Sequence, residues 1–153
     1  MKLLLPSLPL LTTLVLLPLN AMSADPPKTA TASQHPVVFQ VTSAGSDKWD
    51  GALENVANAK KSLGATAGKL IVVLHGKGLG LLLKKTSAEH PELGKKLEAL
   101  HSEGVVFAAC ENTMEREKVT RKDLAGLATT VDSGIGEVIR KQGEGYRYIK
   151  IGE

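Results

Sequence analysis

The residue in this chain best equipped for covalent chemistry is Cys110, the only cysteine among 153 residues. It closes the apolar run Gly104-Val-Val-Phe-Ala-Ala-Cys110, and the polar segment Glu111-Asn-Thr113 follows at once. Such a run predicts a buried strand over Val105 to Ala109 with the cysteine at its carboxyl end, where open α/β sheets place their ligands and chemistry. The thiolate is the reactive form of cysteine, so what matters is whether the surroundings lower the thiol pKa from about 8.5. We expect Glu111-Asn112-Thr113 to form a turn. Backbone N–H groups in that turn, or those opening a following helix, would stabilise a negative sulfur. Arg116, Lys118 and Arg121 would act in the same direction, whereas Glu111, Glu115 and Glu117 would oppose it. Two readings stand at this point: a reactive thiol, and a buried cysteine serving as a small hydrophobe.

His75-Gly-Lys-Gly-Leu-Gly80 is the second segment of interest. It follows the apolar run Lys69 to Leu74 directly, which puts His75 at a strand end and opens a Cys–His pair with Cys110 as one arrangement. The glycines, beginning at Gly76, fit neither G-x-G-x-x-G nor G-x-x-x-x-G-K-[ST]. A tight turn that needs unusual backbone angles is therefore preferred over an anion-binding turn. His35, His75, His90 and His101 show none of the short paired spacings of metal sites, so no metal and no cofactor is expected. No G-x-S-x-G elbow occurs, and Ser133 before Gly134 reads as a helix cap.

The elements that must position these residues alternate along the chain. Val37 to Val41 is a β-branched first strand. Trp49, Leu53, Val56 and Leu63 lay one apolar stripe on a helix that starts at Ser46 or Asp47 and stops at Gly64. Trp49 is expected to anchor the core at the start of that helix. Lys69 to Leu74 is the clearest strand, and a helix over Pro91 to Glu103 carries Leu93, Leu97 and Leu100 on one face. Thr120 caps a short helix with Asp123 in its first turn. Ala128 to Val131 forms a weaker strand, a helix runs from about Ile135 to Gln142, and the alternating Tyr146 to Ile151 makes a last strand. Strand and helix in alternation, with about five strands, imply a three-layer α/β/α sandwich on a parallel sheet with right-handed crossovers.

Composition narrows the function classes. Hydrophobic residues make up 42% and charged residues 23%, enough for one cored domain, while aromatics at 3% leave no stacking platform for single strands. A net charge of +3, with basic and acidic residues interleaved, gives no reason to expect a nucleic-acid partner. The first residues read as a targeting signal: Lys2, an apolar stretch from Leu3 to Leu19, then Ala21-Met-Ser23-Ala24. The expected organisation is a signal peptide over 1–23, a flexible linker over 24–35 and a domain over 36–153. Localisation is then periplasmic or secreted, with no stable membrane span once the signal is cleaved; the alternative is an uncleaved anchor, for which the run is borderline in length and broken by Pro6, Pro9 and Pro18. A single cysteine in an exported chain cannot make an internal disulfide; it leaves a free thiol, an intermolecular bridge or a transient adduct.

The assembled motifs resemble the DsrE/DsrF-like family of sulfur-relay proteins, most closely its exported branch. His75-Gly-Lys-Gly-Leu-Gly-Leu-Leu-Leu83 and Gly104-Val-Val-Phe-Ala-Ala-Cys-Glu-Asn-Thr-Met114 carry the likeness. Val119-Thr-x-x-Asp-Leu124, Ser133-Gly-Ile-Gly-Glu-Val-Ile139 and Gly145-Tyr-Arg-Tyr-Ile149 continue it. The resemblance implies a parallel five-stranded sheet and assembly into trimers or hexamers. It also implies that Cys110 accepts sulfane sulfur as a persulfide without a cofactor, exchanging it with a donor or acceptor protein. His75, Gly76, Asn112 and Thr113 are the expected neighbours of that site. The alternative is a non-catalytic α/β module for small-ligand binding or oligomeric assembly, in which Cys110 is buried and unreactive.

Overall fold

A computed structural model describes residues 34–152. The expected signal peptide and nearly all of the expected linker lie outside the described residues. Five strands, β1 (His35–Val41), β2 (Ala67–Leu74), β3 (Val106–Cys110), β4 (Thr129–Val131) and β5 (Arg147–Ile151), form one sheet. Every pairing is parallel and the spatial order is β4-β3-β2-β1-β5. Helices cover both faces, giving the α/β architecture that the alternating pattern predicts.

The two faces are covered unequally. On the first, Val37, Phe39 and Val41 of β1 continue into Leu70, Val72 and Leu74 of β2 and Phe107 and Ala109 of β3. Helix α1 (Ser46–Leu63) packs there through Ala52, Leu53 and Val56, and α3 (Pro91–Ser102) through Leu93, Leu97 and Leu100. The short α2 (Lys84–Glu89) packs against α3. Trp49 is half-buried against this cluster, its indole N–H donating to the Ser43 carbonyl at 2.9 Å. The second face carries Val38, Ile71, Val73 and Ala108 beneath Val138 of α5 (Gly134–Gly143). Because the chain leaves the edge strand β4 and must return to the opposite edge as β5, α5 crosses the sheet, touching β3, β2, β1 and β5 on the way. That crossing brings its first turn over the carboxyl end of β3.

Local structure departs from the sequence reading at two turns and adds a detail at β5. Glu111-Asn112-Thr113 is the first turn of a short helix, α4 (Glu111–Arg116), with Cys110 as its N-terminal boundary residue, rather than a turn. Gly76–Leu82 is a 3₁₀ segment rather than a single tight turn, and the next helix begins at Lys84. The glycines serve three separate needs. Gly76 has φ +54°, a Cβ on Gly78 would lie 2.2 Å from the Val41 carbonyl oxygen, and one on Gly80 would strike the Trp49 indole at 2.7 Å. Finally, β5 is an edge strand and largely exposed despite its alternating sequence: of Arg147–Ile151 only Ile151 is buried. Among the described residues no helix is long and apolar enough to cross a membrane.

Candidate functional site

Parity along β3 turns Ala108 and Cys110 to the face that α5 covers, and Phe107 and Ala109 to the other. Cys110 therefore points under the start of α5, where the Gly134 N–H donates to its Sγ at 3.1 Å. Ser133 caps that helix as the sequence predicts, its hydroxyl accepting the Gly136 N–H at 3.2 Å. With Ser133 occupied by Gly136, the free N–H of Gly134 is directed at the sulfur. The same sulfur also sits at the opening of α4, so two helix starts converge on it.

Thr113 closes the site from the α4 side. It is buried, and its hydroxyl oxygen accepts the Gly76 N–H at 3.1 Å, leaving the hydroxyl proton for the sulfur. The Asn112 N–H also bonds the Asp132 carbonyl, at 3.3 Å, so it ranks below Gly134 as a donor to the thiol. Burial by itself would push the Cys110 thiol up. The Thr113 hydroxyl and the N–H groups of Gly134, Thr113 and Asn112 outweigh burial, and the net shift is downward. The residue is 4% exposed, so the thiol is primed electrostatically while the first turn of α5 covers it.

His75 lies at the same edge. Leu74 pairs with Ala109, which sets the next residues, His75 and Cys110, side by side at the ends of adjacent strands. The two do not form a hydrogen-bonded Cys–His pair. His75 Nε2 instead meets Gln40 Nε2 at 2.7 Å, and Gln40 Oε1 accepts the hydroxyl proton of Tyr148. Burial, followed by the Arg116 charge, lowers the His75 pKa below 6.5, so the ring is neutral near pH 7. Its Cβ, Cγ and Cδ2 lie within 3.0 to 3.2 Å of where a Cβ on Gly134 would stand. The ring thus rests against the residue that donates to the sulfur.

All four expected neighbours have a place in this arrangement: Thr113 and Asn112 directly at Cys110, Gly76 through Thr113, and His75 through Gly134. Gly134, Gln40 and Tyr148 were not expected. Gln40 did leave a trace in the sequence, as the one polar residue inside the buried run Val37 to Val41, where a buried amide needs partners. Among the described residues no three His, Cys, Asp or Glu side chains gather as metal ligands would.

The sequence profile of the DsrE/DsrF-like family matches residues 36–151, which span every element of the sheet. The chain belongs to the DsrE/DsrF-like family. Among solved structures it is similar to the "Protein of Unknown Function MTH1491" from Methanobacterium thermoautotrophicum, with a TM-score of 0.67 and 27% sequence identity. That match covers 76% of this chain and 99% of the other. No curated protein matches the chain. DsrE/DsrF-like membership agrees with the five-stranded parallel sheet and supports a sulfur-related role, since the family is associated with sulfur relay.

Proposed function

We propose that this protein is an exported sulfur carrier that holds sulfane sulfur as a persulfide on Cys110. The Cys110 thiolate attacks the outer sulfur of a persulfide donor. A bond forms between Sγ and that sulfur, the donor S–S bond breaks, and the donor leaves as a thiolate. An acceptor thiolate then attacks the outer sulfur of Cys110–S–SH, and the Cys110 thiolate departs. No net oxidation occurs, and no cofactor takes part.

The observation that carries this reading is the Gly134 N–H at 3.1 Å from Sγ, backed by the Thr113 hydroxyl. The same donors serve both half-reactions, because Cys110 is nucleophile in the first and leaving group in the second, and a lowered pKa favours departure. Family membership supports sulfur as the cargo. The Lys2 to Ala24 pattern supports export, to the periplasm or outside the cell. Ile135, Ile139, Tyr148 and Ile149, large and exposed around α5 and β5, support a homo-oligomer, a trimer or hexamer by the family resemblance. The test is intact-mass measurement after incubation with a persulfide donor. Wild type gains the mass of one sulfur atom and Cys110→Ser does not; equal gain, or none, rejects the carrier.

One observation favours a second reading. At 4% exposure Cys110 also suits an unreactive core thiol in a ligand-binding or assembly module. Alkylation separates the two readings: a core thiol reacts only after denaturation, whereas a carrier reacts in the native state.

A further inference from the structure

Gln40 is the least expected side chain in the sheet. It is 7% exposed in β1, a strand paired on both sides, between Phe39 and Val41. A buried carboxamide costs stability unless its donors and acceptor are used. Both ends of this one are used, and by residues far apart in sequence. Tyr148, on β5, donates to Oε1, and Nε2 donates to His75, at the end of β2. An amide nitrogen can only donate, so this orientation leaves Nε2 of His75 as an acceptor and puts the imidazole proton on Nδ1. The line then continues. The His75 side chain backs Gly134, close enough that a Cβ there would stand 3.0 to 3.2 Å from its Cβ, Cδ2 and Cγ, and the Gly134 N–H reaches the sulfur.

We propose that Tyr148, Gln40 and His75 form a positioning relay that sets the His75 ring against Gly134 and so holds the Gly134 N–H on Cys110. The relay crosses β5, β1 and the end of β2 before it meets α5 and β3, at the carboxyl edge of the sheet and on the face that α5 covers. None of the three hydrogen-bonds the reacting sulfur; each acts through its neighbour. Tyr148 is 41% exposed, so the relay begins at the surface beside Ile149, and whatever covers that edge would be felt at its first link. Among the titratable and charged groups beside the relay, Arg116 acts on His75, Cys110 adjoins His75 at the ends of adjacent strands, and the Tyr148 phenol is itself the first link. The proposal rests on Cys110 being the group that is tuned, and it does not depend on what Cys110 carries.

The test uses the full chain with His75 labelled for nitrogen NMR, together with the rate of Cys110 alkylation against pH. In wild type the spectrum shows Nδ1 protonated and Nε2 free. Gln40→Leu, close in volume and compatible with a buried strand, loses that tautomer preference. It also alkylates several-fold more slowly at neutral pH, with the limiting alkaline rate unchanged. Tyr148→Phe keeps the ring, removes only the hydroxyl, and moves both readouts in the same direction by less. An unchanged alkaline rate separates a lost thiolate fraction from altered access, which a purely structural role would change instead. Should Gln40→Leu fail to fold, Tyr148→Phe, at a solvent-exposed edge, carries the test alone. A wild-type ring protonated at Nε2, or alkylation profiles unmoved by the variants, overturns the relay. Failure of persulfide loading with the tautomer result intact would reject the sulfur cargo and leave the relay standing.

Discussion

The Gly134 N–H and the Cys110 sulfur are 3.1 Å apart across 24 residues of sequence, and no direct covalent or local constraint joins them. The contact exists because α5 has to cross the sheet between its two edge strands. A helix start carries partial positive charge, and a thiol beneath one ionises more readily. The first turn of α5 therefore does two jobs: it covers Cys110 and it favours its thiolate.

Thr113 should show how much of that effect comes from a side chain. Thr113→Val keeps the shape but removes both the donor to sulfur and the acceptor for the Gly76 N–H. We expect the pH midpoint of Cys110 alkylation to rise toward that of a free thiol. Folding stability should fall by about 1–3 kcal/mol, the usual cost of orphaning a buried hydrogen-bonding group. Alkylation kinetics and urea unfolding measure the two effects separately.

Gly134→Ala tests the packing between ring and helix. The new methyl would stand 3.0 Å from the His75 Cβ, so either the ring or the first turn of α5 must shift by a few tenths of an ångström. The expected result is a higher alkylation midpoint with little loss of stability, since alanine is otherwise a better helix former than glycine by about 1 kcal/mol. An unchanged midpoint would show that the thiol does not depend on this peptide.

Two groups should imprint pH dependence on stability. The folded His75 pKa lies below 6.5, so the unfolded chain binds the extra proton first and stability falls as pH drops through that value. His75→Gln should flatten this part of the profile. The Cys110 pKa is lowered from 9.0, so its contribution is complete above that pH and is lost as pH falls through the folded value. Cys110→Ser should remove the alkaline part alone. Chemical denaturation midpoints at a series of pH values measure both.

Gly78→Ala should be far more damaging than its size suggests. Its methyl would meet the Val41 carbonyl oxygen at 2.2 Å and the carbonyl carbon at 2.7 Å, both backbone atoms of a central strand that cannot yield cheaply. We expect a loss of about 3 kcal/mol or more, in the range reserved for severe packing conflicts. Circular dichroism melting of the variant against wild type is sufficient to measure it.

Much of this framework was legible from residue order. The aliphatic runs ending at Leu74 and Cys110 read as strands covered on both faces, and the spacing of Leu53 with Val56, and of Leu93 with Leu97, read as helical; the structure has both. Ser133 announced a helix start and performs that role. The segment after Cys110 was less legible. Glu111 to Arg116 is too short for a helical period to show, and it is helical because Thr113 and Met114 pack inward. The glycines after His75 looked like a single turn signal, yet close approach to Val41 and to Trp49 explains two of them. A close approach to a distant strand or ring leaves no local mark.

The sequence by itself determined the kind of chemistry available: one thiol, no second cysteine to pair with it, and a place at the carboxyl end of a buried strand. Those follow from composition and from hydrophobic period, which are properties of neighbouring residues. Only the tertiary structure decided what the thiol faces. Strand order put His75 next to Cys110 and Tyr148 on the far side of β1, and the return of α5 put Gly134 above the sulfur. Strand order and crossover path are set by the packing of the entire sheet, so the donors around Cys110 come from parts of the chain that no local pattern connects.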